Sequence, residues 1–174
     1  GAIVPLTFVP PFPVYPPETA WMREPKTDIP GLVLSEHREG GRVAYLPADI
    51  DRRFAKDHLP DHGNLLANIV RWAGKSDVPL RVEGLGLIDC HLYRQPGRLI
   101  LHVVNLTSAG TWRAPIDELI PIGPVKVSVR LPSEVRGGGV RLLVSGASPV
   151  SGVRDGWCAF ELRSILDHEV AVIG

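Results

Sequence analysis

The sequence has few cysteines, no long apolar run and no net charge, and each of these absences excludes some classes of protein. Two cysteines, Cys90 and Cys158, are too few for a disulfide framework or a zinc signature. They are expected to be small buried residues, with one bridge between them as the alternative. No apolar run approaches the ~18 residues of a membrane-spanning helix. Nineteen basic residues balance nineteen acidic ones, so neither nucleic acid nor a membrane surface is expected as a partner.

The first residues of the sequence do not show the pattern of a secretory signal peptide. The sequence opens with GAIVPLTFVPPF, without a Met and without the basic and apolar stretches of a signal peptide. Because the chain opens inside an extended apolar segment, we expect it to have been cut from something longer. The compartment stays undecided, with a cytoplasmic location favoured.

The bulk composition is ordinary for a globular protein. At 174 residues, with 44% hydrophobic and 22% charged residues, the chain suits one domain or two small ones. Residues 1–76 mix extended segments with one clear helix, and residues 77–174 have the pattern of strands almost throughout. Eight of the 17 prolines fall within the first 30 residues. That part is predicted to be an ordered, extended surface loop, because proline fixes φ and removes a backbone donor.

Residues 1–76 contain a predicted hairpin and a predicted helix. The segments GLVLSEH and RVAYLP flank the turn REGG, which is typical of a β-hairpin. Apolar residues recur at three- and four-residue intervals in HGNLLANIVRWAG, which predicts an amphipathic helix. Asp61 is the expected N-cap of this helix and Gly74 its expected C′ residue.

Residues 77–174 alternate at period two. VKVSVRLP places its three valines and its leucine on one face and Lys126, Ser128 and Arg130 on the other, as in a half-buried strand. Pro96-Gly97 suits a type II turn, and Asp155-Gly156 is a strong hairpin signal. Six to eight short strands with such regular turns predict an antiparallel β-sandwich.

Acidic, basic and histidine side chains crowd into YLPADIDRRFAKDHLPDHGN, residues 45–64. A metal site is disfavoured because Pro60 separates His58 from His62, so these histidines do not share a helical face. A catalytic acid–base role is disfavoured because the adjacent arginines would hold the aspartates ionised.

The favoured interpretation of the same cluster is a strand end, a polar loop and a capped helix. The loop leaves the carboxyl end of a strand, where α/β sheets present functional groups. It could therefore meet a ligand cleft or a neighbouring domain. The candidate residues for such a contact are Asp49, Asp51, Arg52 and Arg53.

Other candidate chemistry is sparse. Cys90 and His91 lie in a predicted strand and point to opposite faces, so they cannot act together as nucleophile and base. Trp21, Trp112 and Trp157 could form a sugar-stacking platform, although anchoring a core or an interface is the commoner role of such residues. No catalytic residue, metal ligand or cofactor site is predicted.

Several segments, in fixed order, carry a family resemblance: GRVAYLPADIDRRF, DHGNLLANIVRWA, LIDCHLYRQPGRLILHVVNLT and SILDHEVAVIG. Together they resemble the C-terminal part of large bacterial glycoside-hydrolase-like proteins with a β-galactosidase-trimerisation-type domain. In that family a (β/α)8 catalytic barrel precedes a glutamine-amidotransferase-like α/β domain and a small β-sandwich. The resemblance implies an α+β, mostly β chain: a partial amidotransferase-like α/β segment over residues 1–76, followed by an antiparallel β-sandwich over residues 77–174.

The resemblance also implies a function. The catalytic barrel is not in this chain, so the chain would be a non-catalytic accessory region that gives structural support and oligomerisation and can wall a carbohydrate cleft. Half an α/β domain leaves sheet edges and apolar faces uncovered. The expected partner is therefore the missing N-terminal part of the same protein or a second copy, meeting the chain at AIVPLTFVPPFPVY. The alternatives are an independent carbohydrate-binding β-sandwich and a small metal-dependent hydrolase that uses the Asp/His loop.

Overall fold

The computed structural model describes residues 1–75, 78–107 and 118–174. In these ranges the chain is mostly β, with eleven strands and two α-helices. It divides into two compact units, Gly1–Val78 and Pro79–Gly174. Neither helix of the described ranges is both long and apolar enough to cross a membrane.

The first unit is built on a three-stranded sheet in the order β1-β2-β3. Its strands are β1 (Ile3–Thr7), β2 (Pro30–Glu36) and β3 (Arg42–Tyr45). The predicted β2–β3 hairpin is confirmed: His37 N donates to Gly41 O at 2.8 Å, and Gly40 has a φ of 85°, which glycine adopts without strain. Both pairings are antiparallel, and the relation of this unit to amidotransferase-like domains stays a prediction.

The helices of the first unit are α1 (Ile50–Asp57) and α2 (Pro60–Ala73). The predicted amphipathic helix is confirmed as α2, but the predicted N-cap is wrong. Leu59 is the N-cap, and Asp61 lies inside the first turn. Proline at the first helical position has no N–H to leave unpaired, so the helix begins there. Gly74 ends the helix as its C-cap, one position from the predicted C′.

Arg42 joins the hairpin to the end of α2. Its Nε lies 2.6 Å from Glu36 Oε1, and its Nη1 donates to Trp72 O at 2.9 Å. The last carbonyls of a helix carry partial negative charge and lack partners within the helix. The guanidinium therefore stabilises both the strand and the helix end.

Replacing Arg42 with methionine is expected to lower the free energy of opening α2 by about 1–2 kcal/mol, because a hydrogen bond from a charged donor is lost. Amide hydrogen exchange of the α2 peptides in the full chain measures this change. Arg38→Met, at an exposed position of the β2–β3 turn, is the control. Equal acceleration of exchange in both variants would contradict the assignment.

The second unit is a β-sandwich of two four-stranded antiparallel sheets. Sheet I has the order β4-β7-β10-β9, and sheet II has the order β5-β6-β11-β8. The strands are β4 (Leu80–Glu83), β5 (Ile88–Gln95), β6 (Arg98–Asn105), β7 (Val125–Arg130), β8 (Val140–Leu142), β9 (Ser151–Arg154), β10 (Trp157–Leu162) and β11 (His168–Ile173).

Alternate residues of both sheets fill the core of the sandwich, as the period-two pattern predicts. The three valines of β7 are buried, and the inward residues of β6, β10 and β11 pack with them in one apolar cluster. Both predicted hairpins are confirmed. Gly97 has a φ of 73° between β5 and β6, and Asp155 and Gly156 have φ values of 51° and 77° between β9 and β10. Left-handed values at these positions match the turn types expected there.

Asn105 is one of two polar side chains that the described part of the chain buries, at 5% exposure. Its Nδ2 donates to Ile120 O at 2.7 Å and to Leu166 O at 2.8 Å. Its Oδ1 accepts from Thr107 N at 2.9 Å. One amide at the end of β6 therefore holds two segments that are distant in the sequence, and it pairs two part-buried backbone carbonyls.

Glu169 is the second polar side chain that the described part of the chain buries, at 3% exposure. Its Oε1 accepts from Val144 N and Val170 N, both at 2.9 Å, and its Oε2 accepts from Ser145 N at 3.1 Å. Burial raises the pKa of this carboxyl, while hydrogen bonds from Ser145, Val144 and Val170 lower it, and the net pKa lies below the ordinary value. The buried group is therefore an ionised carboxylate that holds the loop after β8.

Candidate functional site

The charged residues of the cluster at 45–64 lie on a helix rather than in a loop. Asp49 is the N-cap of α1, and Asp51 lies in its first turn. The prediction that Asp49, Asp51, Arg52 and Arg53 form a strand-end loop is therefore wrong. Apolar residues are too sparse to indicate this helix: Ile50 and Phe54 alone are half-buried, and its other residues are exposed. Acidic residues at a helix start are favoured by the helix dipole.

The arginines of α1 are paired along its surface. Arg52 forms an ion pair with Asp49, and Arg53 Nη2 lies 2.7 Å from Asp57 Oδ2 at i,i+4 spacing. Such pairs add a few tenths of a kcal/mol to a helix. A role of α1 in a cleft or at a domain interface stays a prediction.

The two histidines of the cluster lie on different elements. His58 ends α1 in a left-handed conformation, with its ring edge-on to Phe54, and His62 lies in the first turn of α2. Across residues 1–75, 78–107 and 118–174, no group of three or more His, Cys, Asp or Glu side chains could hold a metal ion.

The cysteines do not form a reactive pair with histidine. Cys90 packs against the sandwich core, while His91 is exposed and lies 3.0 Å from Asp89 Oδ2, so the prediction of opposite faces is confirmed. Both cysteines are free. Burial raises the pKa of Cys158, and burial together with the charge of Asp89 raises the pKa of Cys90. Both side chains are therefore thiols, which are poor nucleophiles, at neutral pH.

The tryptophans considered as a sugar platform fall in different parts of the chain. Trp21 belongs to the first unit and is 55% exposed, with the Arg23 guanidinium 3.5 Å from its ring centre. Trp112 lies outside the described residues. Trp157 opens β10 in the second unit and is half-buried. A joint platform of the three therefore stays a prediction, and Trp157 is the one that contacts a residue lining a concave surface, Arg81.

Sheet I carries a shallow trough of about 380 Å³ on its outer face. Its floor includes two small residues that lie side by side in register on neighbouring strands, Ser128 of β7 and Ala159 of β10. Short side chains between longer ones leave a depression, because alternate residues of each strand stand on the same face.

An aromatic and basic patch adjoins one side of the trough, and Arg81 is the member of the patch that lines the trough itself. The guanidinium carbons of Arg81 and Arg130 lie 4.4 Å and 5.1 Å from the ring centre of Trp157. Arg154 pairs in register with Trp157 on its other side. The outward face of this end of sheet I therefore combines an indole ring with three guanidinium groups.

The other side of the trough carries charges of both signs. Glu83, Lys126 and Glu161 form one cross-strand row on β4, β7 and β10, and all three are exposed. Neighbouring charges of opposite sign often pair, but these three form no ion pair among the described residues. The alternation in VKVSVRLP predicts that Lys126 and Ser128 of β7 share one face. The strand order is needed to show which residues of β4 and β10 lie beside them.

No protein-family model and no curated protein matches this sequence, whereas solved structures do match the fold. An α-L-fucosidase, isoenzyme 2, from Paenibacillus thiaminolyticus is 18% identical over 89% of this chain, with a TM-score of 0.65. At this identity the likeness is one of fold. The match takes in 23% of the fucosidase chain, so this chain spans less than a quarter of that protein's length.

A second structure is a cycloisomaltooligosaccharide glucanotransferase from a Paenibacillus species, complexed with cycloisomaltoheptaose. It is 15% identical to this chain, with a TM-score of 0.44. The match takes in 55% of this chain and 16% of the glucanotransferase chain. A score that low does not establish a common fold.

Proposed function

We propose that this chain is a non-catalytic accessory region of a larger carbohydrate-active protein, which gives structural support and oligomer contacts. The observation that carries the proposal is the fold match that takes in 89% of this chain and 23% of an α-L-fucosidase. Such a match is what an accessory part of a glycosidase would give. In this proposal residues 1–76 are the end of an amidotransferase-like α/β domain, and residues 77–174 are the sandwich that follows it.

The surface of the first unit supports the oligomer contacts. Leu32 is the one fully buried hydrophobic residue among its described residues, at 4% exposure. Large apolar side chains of β1 and the proline-rich loop face solvent instead; Val14 and Tyr15 are 82% and 80% exposed. An edge strand and a contiguous apolar surface are features of interaction sites. The partner is another part of the parent protein or a second copy, and Asp49, Asp51, Arg52 and Arg53 are candidates for the same interface or for a cleft wall.

Light scattering on the full chain at rising concentration tests whether the chain self-associates. We expect reversible association, weakened at least about tenfold by the double replacement Val14→Ser with Tyr15→Ser, because exposed aromatic and aliphatic anchors carry most interface energy. The melting temperature should not change, since these side chains are exposed. Leu85→Ser is the matched control, because Leu85 is 86% exposed but lies in the second unit. A wild-type chain that stays monomeric would overturn self-association.

The non-catalytic arm is tested with the same preparation and a panel of aryl glycosides that includes an α-L-fucoside. We expect no turnover, because the carboxylate pair of glycoside hydrolysis is expected on a domain outside this chain. Turnover that co-purifies with the chain would overturn this arm alone.

A further inference from the structure

We propose that the trough on sheet I binds a carbohydrate chain that carries carboxylate groups, with an acidic sugar residue seated beside Trp157. This deepens the proposed function by naming a ligand class for the second unit, and it rests on that function for the expectation that carbohydrate is the natural ligand. The residues that would make the site are Trp157, Arg81, Ser128, Lys126, Glu83 and Glu161.

The shape of the trough suits a sugar chain. Trp157 and Glu161 stand four positions apart on the same face of β10, which is about 13 Å along a strand. Between their rows lie Ser128 and Ala159, which are too short to fill the space. The depression is open to solvent. An extended oligosaccharide can lie there without any backbone movement.

The basic end of the trough selects for charge. An indole ring packs well against the C–H face of a pyranose. A guanidinium that stacks on an aromatic ring keeps its N–H edge free to donate, and that edge matches a carboxylate in bidentate geometry. Arg81 stacks in this way on Trp157 and forms no ion pair among the described residues. A sugar carboxylate supplies the partner that this arginine lacks.

The opposite end fixes the orientation of the ligand. The carboxylates of Glu83 and Glu161 accept hydrogen bonds from hydroxyl groups and repel a second carboxylate, and the ammonium group of Lys126 between them donates. An acidic sugar is therefore drawn to the Trp157 end with its hydroxyl-rich neighbour toward the glutamates. Charge complementarity of this kind gives specificity more than affinity.

Calorimetric titration of the full chain with a hyaluronan oligosaccharide, in which a carboxylate-bearing sugar alternates with a neutral one, tests the site. We expect saturable binding that weakens as salt rises, and a loss of at least about tenfold for Arg81→Gln, because a charge-assisted bidentate contact is removed. Trp157→Ala should lose as much. Arg81 is exposed, so its variant tests the site even if the half-buried tryptophan is needed for folding. Trp21→Ala removes an exposed, arginine-stacked tryptophan of the first unit and is the matched control.

Four results would overturn the proposal: no binding of the hyaluronan oligosaccharide, equal binding of a neutral cello-oligosaccharide, equal binding of polyphosphate, or an equal effect of Trp21→Ala. If the chain binds the saccharide but does not self-associate, the proposed site is supported and the oligomer contacts are excluded from the proposed function. If it self-associates but binds no saccharide, the oligomer contacts are supported and the proposed site is excluded.

Discussion

Replacing Asn105 with aspartate is expected to lower the free energy of unfolding of the second unit by about 4 kcal/mol. The part-buried carbonyl oxygens of Ile120 and Leu166 lose their donor, and a buried group left without a partner costs about 1–3 kcal/mol. The substitution also places a carboxylate beside those oxygens at a position that is 5% exposed, where an unpaired charge is costly. Urea unfolding of the full chain, followed by amide exchange in β6 and β11, measures the loss.

Two further variants sharpen this prediction. Asn105→Ala removes the donors without adding a charge, so its effect should be smaller, at about 3 kcal/mol. Asn68→Asp makes the same chemical change at an exposed position of α2 and should leave the second unit unaffected. A loss below about 1 kcal/mol for Asn105→Asp would mean that water replaces the lost donors.

Replacing Glu169 with glutamine is expected to cost the second unit about 2–3 kcal/mol at neutral pH. Three backbone N–H groups donate to the carboxylate, and hydrogen bonds to charged groups contribute about 1.5–3 kcal/mol. An amide keeps one acceptor oxygen but turns an NH2 group toward one of these donors. Glu161→Gln, on the exposed face of β10, is the control and should change stability by no more than about 0.5 kcal/mol.

The same carboxylate makes stability depend on pH. Its pKa in the folded chain lies below the ordinary value of 4.5, so its contribution is fully present above about pH 4.5 and is lost as pH falls through the lower, folded pKa. The wild-type second unit should therefore lose more stability below this pH than Glu169→Gln does. Parallel pH profiles for the two proteins would contradict the assignment.

Sequence reasoning succeeded where local pattern decides structure. The valines of β7, the Asp155-Gly156 turn and the apolar stripe of α2 each carry a period or a turn signal within a few residues. It failed at α1, because a helix with two half-buried residues and a polar surface has no apolar stripe to detect. Asp61 was misplaced because a proline at the first helical position competes with the usual cap preference.

The trough and the contacts of Asn105 could not be predicted from the sequence for a different reason. Ser128 meets Ala159, and Asn105 meets Leu166, through strand pairings between segments far apart in the sequence. Period-two alternation shows which side chains of one strand share a face. It does not show which strand lies beside it, and a one-residue change of register would present the opposite face.

Cys158 gives this two-unit protein an internal reporter. It is 0% exposed, and both cysteines of the sequence belong to the second unit. A thiol reagent at neutral pH therefore reaches Cys158 only when the sandwich opens, and the first unit contributes no signal. The alkylation rate of that one residue reports the kinetic stability of the second unit by itself, without cutting the chain.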